Sequence, residues 1–148
     1  MIFTIQNIAA SLADYLAPVL PGVTFYENPN QQKSEMPCMF LQQRGPSRIE
    51  NKTGKRFLRY ISLDLTYLED YNLTDLQERY QAVAEALDYF LETFPYKEGE
   101  NQVIIRTYDR QWSIDLDAMH YKFELRVWVE HPTEFNPMQE LIQNQEVS

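Results

Sequence analysis

Met119, Tyr121, Phe123, Leu125, Val127 and Val129 alternate without a break with His120, Lys122, Glu124, Arg126, Trp128 and Glu130. A period of two held over this length puts the apolar side chains on one face of an extended chain and the polar ones on the other. The segment therefore reads as a long strand with one dry face and one wet face, as in an antiparallel sheet covered on one side. The rest of the 148-residue chain has to supply that cover, and 44% hydrophobic residues give it the material. A chain of this length makes one domain around one core.

Two segments have the spacing for the covering layer. Ile5, Ile8, Ala9, Leu12, Tyr15, Leu16 and Val19 recur at helical steps, with Pro18 and the Pro21-Gly22 pair as stops. Leu76, Tyr80, Val83, Leu87, Phe90, Leu91 and Phe94 keep the same spacing through about five turns, or roughly 30 Å. They run from a Thr74-Asp75-Leu76-Gln77 capping-box pattern to Pro95 and Gly99. Val23–Tyr26 and Pro37–Gln42 read as short strands separated by the polar stretch that starts at Asn28-Pro29-Asn30. Phe57, Ile61, Leu63, Leu65 and Tyr67 share one side of a longer strand, interrupted by Arg59, and 102–110 reads as another. The predicted fold is an α+β two-layer domain over residues 1–131, a mainly antiparallel or mixed sheet packed on two helices in the order α-β-β-β-α-β-β. Residues 132–148 read as a polar C-terminal extension in which Met138, Leu141 and Ile142 form an apolar stripe. A loose tail and a short helix docked on a neighbouring subunit both fit it.

Candidate chemistry is sparse. Cys38 is the single cysteine and sits among Pro37, Met39 and Phe40, which suits a buried thiol and offers no cation to activate it. The two histidines, His120 and His131, lie outside any catalytic or metal-ligand motif, so structural or surface roles are expected and neither a metal nor a cofactor is indicated. Asp115 and Asp117 flank Leu116 in an expected turn and read as solvated loop acids. A hydrolase would need at least two of His120, His131, Asp115 and Asp117 in one cleft. A ligand-binding or regulatory domain of the cytoplasm would need an enclosed pocket with converging polar groups. The start of the chain lacks the cationic and apolar runs of a secretion signal, and no apolar stretch has the length of a membrane span, so a cytoplasmic protein without membrane contact is expected.

Charge is unevenly distributed. Between Arg44 and Arg59 lie Arg44, Arg48, Lys52, Lys55, Arg56 and Arg59 against the lone acid Glu50, a net +5 in a chain of net charge -9, which leaves -14 for the remainder. An acidic body argues against broad nucleic-acid binding. The cationic window joins two strands and reads as a long hairpin loop. A solvated loop, a local nucleic-acid contact and an arm that meets the acidic flank of an identical neighbour all fit it. The third accounts best for the polarity, because subunits in a ring meet head to tail. Trp128 falls on the wet register of its strand, where it suits either a subunit contact or a face covered by a helix, and Trp112 is also expected on the sheet.

Several pieces occur together in one order: the first helix ending in Leu20-Pro21-Gly22-Val23, the strand entry Met36-Pro37-Cys38-Met39-Phe40, the cationic loop, the strand Arg59-Tyr60-Ile61-Ser62-Leu63-Asp64-Leu65-Thr66-Tyr67, and a long helix before a closing strand pair. Over roughly residues 2 to 131 this pattern resembles the small tail terminator, or tail completion, proteins of tailed bacteriophages. The resemblance implies a virion structural protein without enzyme activity, built as a homo-oligomeric ring, commonly a hexamer. Such a ring would sit on the last ring of the tail tube, stop tube growth and present a surface to the head-tail connector. Another neck or connector protein is the alternative within the same class. On this reading Arg44, Arg48, Lys52, Lys55, Arg56 and Trp128 are the expected subunit or lumen contacts, and DNA passing through the lumen would be a transient partner.

Overall fold

The computed structural model describes every residue except 27–34, 53, 71, 116 and 131–148. The Asn28-Pro29-Asn30 stretch, His131 and the C-terminal extension with Met138, Leu141 and Ile142 thus lie outside the described residues. Helix α1 spans Ile5–Leu16, and the Thr4 side chain accepts a hydrogen bond from the Asn7 N–H at 3.1 Å. It closes at Ala17, since Pro18 has no N–H to continue it, and Gly22, at φ 84°, turns the chain into β1, Thr24–Tyr26. The remaining elements are β2 (Cys38–Gln43), β3 (Arg48–Asn51), β4 (Arg56–Leu68), α2 (Leu76–Phe90), β5 (Thr93–Glu98), β6 (Asn101–Ile114) and β7 (Met119–Glu130). They form a curled, mixed sheet of seven strands in the order β1-β2-β4-β7-β6-β5, with β3 also on β4. Only β1 and β2 run parallel. The expected order of elements holds, with two strands added.

The central pair is β4 with β7, in antiparallel register from Arg56 opposite Glu130 to Tyr67 opposite Met119. Its odd-numbered residues Ile61, Leu63, Leu65, Phe123, Leu125 and Val127 are buried together with Ile8, Leu12 and Leu16 of α1 and Tyr80, Ala84 and Leu87 of α2. The helices therefore cover the odd face, and the long alternation in β7 is the imprint of that cover.

Three local features depart from expectation. The cationic window is no open loop: β2 and β3 lie in line along one edge of β4, interrupted by Arg44-Gly45-Pro46-Ser47, and β3 returns into β4 as a hairpin. Gly45, at φ 126°, and Pro46, without an N–H, break the pairing between them. Helix α2 stops at Phe90 rather than Phe94. Thr93–Glu98 turns through Gly99-Glu100 and pairs with the start of β6; Gly99, at φ 62°, supplies the positive φ that a two-residue hairpin needs at its first position. Phe94 is buried from a strand, and Phe90 is exposed. The Thr74–Gln77 capping box does not form. Asp75 is the N-cap, with no side-chain cap bond, and its carboxylate instead takes both 3.0 Å contacts from the Arg79 Nε.

Buried tyrosines reach from the core to acids on its rim. Tyr121 donates to Asp88 at 2.8 Å, Tyr67 to Glu69 at 2.8 Å and Tyr96 to Glu98 at 3.2 Å. Tyr80 donates to the Asp117 carbonyl and accepts from the Glu69 N–H. No buried side-chain polar atom lacks a partner among the described residues. Burial first, and the adjacent carboxylate second, push the Tyr67 and Tyr121 hydroxyls well above the ordinary tyrosine range. Burial and the Glu98 charge push Tyr96 up to about 12.

Phe123 is fully buried, so Phe123→Ala should cost about 3–5 kcal/mol of unfolding free energy, measured by urea titration. The tyrosines set the alkaline limit. Their folded values lie above the unfolded value of 10.0, so above that pH the unfolded chain loses protons that the folded one keeps. The melting temperature should hold up to about pH 10 and fall as the pH rises toward 12, and Tyr96→Phe should make the fall shallower.

Candidate functional site

With both helices on the odd face, the even-numbered side chains of β4 and β7 form a second face that neither helix covers; it is open at the Tyr60–Trp128 end, while Asp64 and Thr66 at the other end are buried. The β3–β4 hairpin brings the cations to one end of it. Register aligns Arg48, Tyr60 and Arg126 across three strands. The Arg48 guanidinium lies 3.7 Å from the centre of the Tyr60 ring, and the Arg126 guanidinium lies 6.0 Å from the same ring and 4.2 Å from that of Tyr108 on β6. One row further along, Glu50, Leu58 and Trp128 are in register, and Arg56 stacks 4.8 Å from the Trp128 ring. Guanidinium planes suit this stacking, which fixes long side chains that would otherwise move freely.

Acids tune the row. Glu50 accepts from Lys52 at 2.6 Å and from the Tyr60 hydroxyl at 3.0 Å, and these bonds, the lysine's first, hold its carboxyl below the usual range. Arg126 donates to Glu124 at 2.9 Å and Asp109 at 3.3 Å.

The expected site residues thus divide by place. Arg48, Arg56 and Trp128 meet on the open face. Lys52 and Lys55 stand at the exposed hairpin turn, and Arg44 stands at the exposed bend after β2. Arg59 lies on the other face and donates to the Phe3 carbonyl at 3.0 Å. Trp128 is 43% exposed, and among the described residues no helix covers it. Arg126, Tyr60 and Tyr108 were missed from sequence, although the parity that places Trp128 on the wet face places Arg126 there too.

Three sites bear on the enzymatic and ligand-binding readings. His120 does meet Asp115: its Nε2 lies 3.0 Å from the Asp115 carboxylate and its Nδ1 lies 2.9 Å from that of Asp64. Both ring nitrogens are engaged by carboxylates. The nearby hydroxyl of Thr66 is buried and donates to Asp64. The group pins the β6–β7 turn to β4. The Cys38 thiol is buried and raised above its ordinary value by that burial, so it is no ready nucleophile. Beside Asp115 and Asp117 lies a broad depression of about 830 Å³ that opens to solvent between α2 and the β6–β7 turn. Among the described residues no cluster of three or more His, Cys, Asp or Glu side chains could hold a metal ion, and no helix is long and apolar enough to cross a membrane. His120→Ala leaves the buried Asp64 carboxylate with only the Thr66 hydroxyl and should cost about 1–3 kcal/mol in urea unfolding, with His120→Gln recovering part of it.

No curated protein matches the sequence. The family model described as phage tail terminator protein matches residues 7–137, from the first turns of α1 past the end of β7. That span takes in both helices, the whole sheet and the open face with its arginine–aromatic rows. The chain belongs to the phage tail terminator protein family, a family of structural components of the virion tail.

Proposed function

We propose that this chain assembles as a homo-oligomeric ring, a hexamer in the commonest arrangement, on the last ring of the tail tube. There it stops the addition of further tube protein and presents a surface to the head-tail connector. The observation that carries this reading is the separation of charge between one short window and the rest of the chain, with part of that window fixed on the sheet. The window 44–59, which holds the β3–β4 hairpin, carries a net +5 against -14 for the rest of the chain, and Arg48 and Arg56 are held in place by Tyr60 and Trp128. Copies related by rotation can then set the cationic hairpin of one against the acidic body of the next, a contact that repeats until the circle closes.

Arg44, Arg48, Lys52, Lys55, Arg56 and Trp128 form the lateral contact. Where Lys52 and Lys55 reach the lumen, passing DNA touches them transiently, and the acidic body limits its retention. Stopping a polymer needs one face that fits the tube protein and an opposite face that does not recruit another tube ring. The ring assembles in the host cytoplasm and stays at the head-proximal end of the tail.

Reversing the charge at Arg48, Lys52 and Lys55 to Glu tests the assignment. All three are exposed, so the melting temperature should stay within a few degrees of the parent, about 1 kcal/mol or less in stability. Ring formation, read by mass in solution, or tail completion, read by tail length in electron micrographs, should fail. Tails of normal length with full infectivity would overturn the role given to the hairpin.

A further inference from the structure

Strand β6 serves two partners. Thr107–Ile114 pairs with β7, and Asn101–Arg106 pairs with β5. Beyond the Thr107–Leu125 pair, β6 and β7 diverge and open a cleft of about 440 Å³. Its lining includes Val103, Ile104 and Trp128, which are 39%, 61% and 43% exposed, so three of the large exposed apolar side chains meet at one opening.

The cleft also exposes backbone. Lys97 N–H donates to Ser11 Oγ, away from β6. By the alternation of an antiparallel ladder, the pairs Lys97–Gln102, Pro95–Ile104 and Thr93–Arg106 then turn their backbone groups outward. On the β5 side α1 and Pro95 blunt that edge. On the other side the N–H and C=O groups of Gln102 and Ile104 face the cleft beyond the last β6–β7 pair, with no backbone partner among the described residues. A row of free donors and acceptors beside apolar side chains is what an added strand requires.

The segment that follows β7 suits it. Residues 132–148 lie outside the described residues; they carry Glu134, Glu140 and Glu146 with no Lys or Arg, and Phe135, Leu141 and Ile142 among polar residues. The cleft lining carries Arg106 and Arg126 against Glu130, and Glu130 already has the N-terminal ammonium at 3.8 Å. At about 3.3 Å per extended residue the segment reaches on the order of 50 Å, enough to span to an adjoining subunit. Return into its own cleft by a tight turn is disfavoured: His131-Pro132-Thr133 has no glycine, and Pro132 has its φ fixed near -65° where such turns need it positive.

We infer that residues 132–148 of one copy add as a strand to the free edge of β6 in the next copy, locking neighbours together across the Trp128 end of the sheet. The inference rests on the ring proposed above. A labelled synthetic peptide of residues 132–148, titrated by fluorescence anisotropy into the full chain held dilute enough to be monomeric, should bind saturably and more weakly at high salt. Ile104→Pro removes the outward N–H without touching the β5 ladder and should weaken binding about tenfold or more, as should Ile104→Asp, which keeps the N–H but opposes an acidic strand. Hydrogen exchange should show the Gln102 and Ile104 amides open in the monomer and protected in the assembly; in Ile104→Pro only the Gln102 amide is read. Absence of peptide binding, or binding by both variants as tight as by the parent chain, overturns the inference. So do amides already protected in the monomer, which would mean the chain's own tail fills the cleft. Rings that assemble while these amides exchange freely overturn it too, and leave the ring itself standing.

Discussion

The antiparallel pairing of β4 with β7 holds the molecule in order, because one register decides two surfaces at once. With Arg56 opposite Glu130 and Tyr67 opposite Met119, every odd residue of both strands faces the helices and every even one faces away. A slip of one residue would send Phe123 and Leu63 into solvent and bring Lys122 and Glu124 against α1 and α2. Burial of the odd face is thus what keeps Arg48, Tyr60, Arg126 and Trp128 together on the other. The core and the candidate interface are two sides of the same constraint.

The charge pattern follows from the same geometry. Part of the acidity of the body is structural, since Asp88, Glu69 and Glu98 accept hydrogen bonds from the hydroxyls of tyrosines whose rings fill the core. Cations in these positions could not accept those bonds. Six of the thirteen basic residues fall in the window 44–59, where aromatic faces hold Arg48 and Arg56 and Glu50 gathers Lys52 and Tyr60. In the ring proposed above, this polarity would leave few orientations in which two copies attract each other.

Much of the architecture was legible in the chain. Period-two runs located β7 and β4, period-3.6 runs located both helices, and the cationic window marked the hairpin. Legibility failed where local pattern is ambiguous. Leu91 and Phe94 keep helical spacing, yet Phe94 is buried from a strand, because pairing with β6 outweighs continuing α2. β3 was hidden because Arg48-Ile49-Glu50-Asn51, at a sheet edge, carries a single apolar residue and so no apolar alternation to show. The His120–Asp115–Asp64 group unites three residues from two strands and a turn, a meeting that spacing along the chain does not encode.

The sequence by itself determined that an α+β domain would pack helices on one face of a sheet, and which side chains of the longest strands would be dry, since periodicity and burial are bound together by backbone geometry. It determined as well that charge would be divided between one short window and the rest. Only the tertiary structure decided which side chains meet on the open face, that the window is a paired hairpin, and that β6 parts from β7 to leave an unpaired edge. Those outcomes depend on strand register and on where pairing ends, and both are set by contacts between segments far apart in the chain.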